Sequence, residues 1–94
     1  MVENVDDLTV QYEEGGQVLV EEMDKKILSK GAWATVIFKY RDANRSTGEL
    51  GKVKFTIRRY QKKNGVYRQQ SKFNISSEKQ ATELVGALQE WLDQ

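Results

Sequence analysis

Residues 32–41 alternate, with Ala34, Val36 and Phe38 on one side and Trp33, Thr35, Ile37, Lys39 and Arg41 on the other. A period of two belongs to a strand with one face buried and one wet. Residues 52–61 repeat the pattern, giving Val53, Phe55 and Ile57 one side and Lys52, Lys54, Thr56, Arg58 and Tyr60 the other. A further strand is predicted over 66–75, with Phe73 and Ile75 opposite Arg68, Gln70 and Lys72. An earlier, less regular one spans 17–28, interrupted around 24–26. Asn64-Gly65 marks a tight hairpin between the last two strands, and the loop 42–51, rich in turn formers, joins the second strand to the third. After 75 the period changes: Ala81, Leu84, Val85, Leu88, Trp91 and Leu92 recur at steps of three and four, the stripe of an amphipathic helix. Its start carries Ser77 and Gln80 at the spacing of reciprocal capping.

The expected fold class is therefore α+β: a four-stranded curved antiparallel β-sheet followed by one C-terminal α-helix (β-β-β-β-α), with the helix covering the sheet. Phe38, Phe55 and Phe73 are the expected core. The expected organisation is an acidic flexible arm over 1–16, ending at Gly15-Gly16, and a folded domain over 17–94. A single helix is short cover for such a sheet, so a homodimer through the C-terminal helix is expected.

Net charge, +1 over 94 residues, conceals a strong asymmetry. Residues 1–29 hold eight acids against two lysines, residues 30–75 hold twelve bases against Asp42 and Glu49, and the tail is acidic again. Seven of the nine aromatic residues lie in the basic segment. Cations that neutralise phosphates, interleaved with rings that stack on unpaired bases, form the constellation of a single-strand binder. The residues expected to carry it are Trp33, Lys39, Arg41, Lys52, Lys54, Arg58, Tyr60, Arg68 and Lys72. For the basic stripe alone, an ordinary solvated sheet face is the competing reading, and for Trp33 burial in a subunit interface.

The absence of cysteine and histidine removes thiolate nucleophiles, imidazole bases and the commonest transition-metal ligands. No catalytic residue, cofactor site or metal site is assigned. Asp42 and Glu49, the two acids of the basic segment, share one loop and do not make a convergent catalytic pair. No apolar run approaches membrane-spanning length, and residues 1–7 lack the basic and apolar stretches of a signal peptide. A cytoplasmic protein is expected, nucleoid-associated in a bacterium, with no membrane partner.

From the third predicted strand onward the chain resembles the positive cofactor four family of transcriptional coactivators and its short bacterial relatives. The resemblance lies in Gly51-Lys52-Val53, then Ile57, Arg58 and Tyr60, the turn Gly65, and Phe73, Ile75, Ser76 and Glu78 running into a capped helix. Residues 18–41, with Gly31-Ala32-Trp33, are similar to the opening hairpin more loosely. The resemblance implies a homodimer that binds single-stranded DNA on curved sheets, with a helix of each subunit in the interface. It matches Lys52 and Arg58 to basic strand-binding residues and Tyr60 to the aromatic beside them. Gln61 stands where the eukaryotic pattern has a second aromatic, and Lys72-Phe73 replaces a Lys-Gly pair. Two alternatives stand beside single-stranded DNA as ligand: RNA, and an acidic protein partner. The chain's own acidic arm is one such acidic ligand, able to compete for the basic face.

Overall fold

The computed structural model describes residues 2–94, and Met1 lies outside them. The chain forms a 3-10 turn at Val5–Asp7, strands β1 (Tyr12–Glu14), β2 (Gln17–Ser29), β3 (Trp33–Asp42), β4 (Lys54–Lys63) and β5 (Val66–Ile75), and helix α1 (Glu78–Leu92). The strands make one curled antiparallel sheet in sequential order, so each neighbour along the chain is a neighbour in the sheet.

The sheet has five strands, one more than the alternation predicts. The addition, β1, is three exposed residues paired to the start of β2 through a turn in which Gly15 and Gly16 both take positive φ, a region glycine enters without steric cost. The predicted break near 24–26 is a continuous strand whose register shifts twice, leaving Met23 and Leu28 unpaired. Such bulges bend a strand without ending it.

Pairing assigns the faces. Ala34 lies opposite Tyr60, Val36 opposite Arg58 and Phe38 opposite Thr56, and directly paired residues share a face. One face therefore holds Ala34, Val36, Phe38, Thr56, Arg58 and Tyr60. The other holds Trp33, Ile37, Lys39, Phe55, Ile57 and Arg59. This corrects the expectation that Phe55 and Ile57 join Phe38 in one core. Each strand's alternation is as expected, but one strand is turned over relative to the other, because the irregular connection 43–53 leaves the register open to a one-residue slip. A second irregularity, between Arg59 and Tyr60 opposite β5, turns Arg68 to the side of Phe73 and away from Lys72.

The core is built with the N-terminal segment, which corrects the expectation of a flexible arm for residues 2–10. Val5, Leu8 and Val10 are buried against Ala34, Val36, Phe38, Tyr60 and Tyr67. Lys25 Nζ donates to the carbonyls of Asp6 (2.6 Å) and Leu8 (2.7 Å). Glu22 accepts from Thr9 Oγ1 at 2.6 Å and from the Val10 amide at 3.2 Å, and the Tyr67 amide donates to the Val2 carbonyl. Thr56, fully buried in the same face, donates to Asn74 Oδ1 at 2.8 Å.

Helix α1 starts as predicted: Ser77 Oγ accepts from the Gln80 amide, and the Gln80 side chain returns to the Ser76 amide. Its placement is a further correction. It does not cover the sheet, no helix residue is buried, and Val85, Leu88, Trp91 and Leu92 face outward. Among the described residues, no helix is long and apolar enough to cross a membrane.

Candidate nucleic-acid interface

The residues expected to form one binding surface are divided between two faces. Lys54, Arg58, Tyr60 and Lys72 lie on the face that carries the N-terminal arm, here the arm-side face. Trp33, Lys39, Arg41 and Arg68 lie on the opposite, open face. Lys52 sits outside the strands, exposed in the connection before β4 and beside the start of α1.

The arm does not reach across the whole arm-side face. Between it and the β4–β5 ladder runs a cleft walled by Val2, Asp7, Leu8 and Thr9 on one side and by Arg58, Tyr60, Tyr67 and Gln69 on the other. Arg58 Nη1 donates to Gln69 Oε1 at 3.1 Å, while its Nε is buried with no acceptor. A buried donor without a partner carries a desolvation cost, and it is the Nη end of Arg58, not the enclosed Nε, that a ligand can reach. Lys72, the cross-strand partner of Arg58, is exposed on the same face. Lys54 is held by Asp42 at 3.2 Å.

Tyr60 is 5% exposed, so the expectation of an open stacking ring is corrected: it packs in the core and lines the cleft. Burial pushes its phenol above the usual 10.0, and the nearby Arg58 charge offsets part of that rise. Tyr67, which composition did not single out, lines the same cleft and donates its hydroxyl to the Gly31 carbonyl at 2.6 Å.

The open face has two parts. Toward the helix, Ile37, Ile57 and Phe73 form one cross-strand row, with Phe55 beside it. Phe73 is 54% exposed, where a core position was expected. Toward the β4–β5 hairpin, the Arg59 guanidinium lies 4.8 Å from the centre of the Trp33 ring, and Arg68 pairs with Gln61 in the Trp33 row. Trp33 is 43% exposed. Arg41 is tied to Glu21 at 2.6 Å, and Lys39 is exposed at the sheet's other end.

Arg59 is missing from the sequence-derived set, although the signal was present. Adjacent arginines in a strand place one cation on each face whatever the register, so Arg58-Arg59 supplies both surfaces. Gln69 and Lys25, which hold Arg58 and the arm, gave no signal without pairing. Comparison of the chain with protein-family models, with curated proteins and with solved structures gives no match.

Proposed function

We propose that this domain binds single-stranded DNA along the arm-side cleft, with Arg58, Lys72, Lys54 and Lys52 as phosphate contacts and the rings of Tyr60 and Tyr67 forming the floor. The observation that carries the reading is Arg58: a guanidinium in a cleft wall with a second, exposed cation, Lys72, across the ladder. The resemblance to the positive cofactor four family points to Lys52, Arg58 and Tyr60 among these residues, and does not extend to Lys54 or Lys72. A single strand offers its phosphates to the cations on the rim, while Tyr60 and Tyr67, both buried with the arm in place, line the cleft without presenting open ring faces to bases. The proposed role is coactivator-like or DNA-maintenance binding without catalysis.

The test is fluorescence anisotropy of labelled oligothymidine against a duplex and an RNA of equal length, at several salt concentrations. Neutralising four phosphates gives a log-log salt slope of about −3, at roughly −0.7 per phosphate. Preference for the duplex, or a flat salt response, would reject the reading; preference for the RNA would reassign the ligand.

A second placement of the strand rests on the open face, where the exposed Trp33 ring is already stacked with Arg59. Trp33→Ala and Arg59→Ala weaken binding if the strand lies there. Arg58→Ala and Lys72→Ala do so if it lies in the cleft.

The partner proposed for the apolar half of the open face and for the helix stripe is a second copy of the chain. The surface is 6811 Å², against about 5,600 Å² for a compact monomer of 10.9 kDa. The Cα radius of gyration is 15.0 Å, against about 12 Å for this length. If a second copy covered that excess, about 1,200 Å² per chain, the pair would bury about 2,400 Å², the size of an obligate homodimer interface. Leu88 and Trp91 from the helix and Phe73 from the sheet supply apolar surface on both elements of each copy.

A further inference from the structure

The arm that closes the core also forms one wall of the cleft, and that wall carries one carboxylate, Asp7. Asp6 and Asp7, in the 3-10 turn, are exposed, and Asp7 lines the cleft facing the wall that contains Arg58. Three polar attachments hold the arm over the face: two carbonyls on Lys25 Nζ, Glu22 beneath Thr9 and Val10, and the Val2 carbonyl on the Tyr67 amide. Under it lie Phe38, Tyr60 and Tyr67, the flat surfaces a base would stack on. The arm thus puts acceptor oxygens on Lys25, a carboxylate in the cleft, and apolar side chains over the rings. Those are the three contact types a single strand would make on this face.

We infer that the N-terminal arm is an internal competitor of single-stranded DNA, holding the cleft narrow until a bound strand displaces it. This rests on the cleft being the strand-binding site. The competition is electrostatic as well as steric. At about 7 Å across water, one carboxylate disfavours one phosphate enough to change affinity about threefold, an effect that fades as salt shortens the screening length.

The full-length chain suits a direct test, because it has no cysteine of its own. Thr9 and Glu22 touch, so a Thr9→Cys/Glu22→Cys double variant, bridged by a short bis-thiosulfonate reagent, locks the arm in place, and a reductant releases it. Oligothymidine binding is read by anisotropy in both states of the same protein. Locking should weaken binding at least about tenfold, the scale of losing one charge-assisted contact, and reduction should restore it. Asp7→Asn, a surface change outside the core, should tighten binding about threefold at low salt and leave it unchanged at high salt. Hydrogen exchange at the Val10 amide should accelerate when wild-type protein is saturated with oligothymidine.

Equal binding by the locked and released forms, or unchanged Val10 protection in the saturated complex, would overturn the arm's role. If binding in that case still depends on Arg58, the strand-binding reading survives. Failure of the wild-type chain to bind oligothymidine at low salt would overturn both.

Discussion

Leu88 on the outer face of α1 is the sharpest test of the proposed dimer. It is 48% exposed in the single chain. Full burial of a leucine is worth about 1.5–3 kcal/mol, so covering the exposed half contributes about 1 kcal/mol per protomer and about 2 kcal/mol in a symmetric pair. Leu88→Ala should therefore raise the dimer dissociation constant about 30-fold, since 1.4 kcal/mol is about tenfold. Leu88→Glu adds the desolvation of two carboxylates, several kcal/mol each, and should leave a monomer at about 10 µM even if the parent dimer dissociates in the nanomolar range. The helix itself is preserved, because glutamate is a good helix former and the Ser77–Gln80 cap is untouched. Light scattering coupled to size exclusion gives the answer: twice 10.9 kDa for the parent and the single mass for Leu88→Glu, with unchanged circular dichroism. A parent that runs at the single mass at about 100 µM, where even a weak micromolar dimer is populated, would refute the reasoning. So would a Leu88→Glu protein that remains a dimer. Trp91→Ala, at a residue 69% exposed, should behave as Leu88→Ala does.

Three further outcomes are expected. Arg58→Ala should weaken oligothymidine binding about tenfold or more and reduce the salt slope by about 0.7, whereas Arg59→Ala should leave both unchanged; a reversed result moves the strand to the open face. Phe38→Ala should destabilise the domain by about 3–5 kcal/mol in urea unfolding, the range for a fully enclosed aromatic; an effect below about 1 kcal/mol would contradict the arm-side core. Tyr60 has a raised phenol pKa, mainly from burial, so the fold favours its protonated form. Its contribution is fully present below the unfolded value near 10.0 and is lost as pH rises through the higher folded value. Urea midpoints should fall more steeply above pH 10 in the parent than in Tyr60→Phe, and parallel curves would show that the phenol is not the group responsible.

Much of the architecture is legible from local pattern. The alternation in 32–41 and 52–61 is a property of each strand alone, as are the Asn64-Gly65 turn, where both residues take positive φ, and the capped start of α1, whereas in 66–75 the alternation breaks at the irregularity opposite Arg59 and Tyr60. β1 was not legible, because three exposed residues carry no alternation and depend on the two glycines that fold them back. Nor was the docking of the arm, since Val5, Leu8 and Val10 are isolated among acids and their apolar role appears only when a sheet face lies beneath them.

The candidate site shows the same boundary. Composition was enough to place the cations and rings in one segment, and two-residue periodicity was enough to say that neighbours in a strand part to opposite faces. Which cation shares a face with which ring depends on register. A shift of one residue across the connection 43–53 decides whether Arg58 faces with Phe38 or with Trp33, and one irregularity opposite Gln70 sends Arg68 and Lys72 to different sides. The observed register buries Val36 and Phe38 against Val5, Leu8 and Val10 of the arm and pairs Thr56 with Asn74, contacts between residues far apart in the chain. Local pattern is enough for four of the five strands, the helix, their order along the chain and the stock of basic and aromatic side chains. Their division between two surfaces, one edged by the N-terminal arm and the other part apolar and part basic, comes from packing, because pairing and docking are long-range events that local periodicity does not encode.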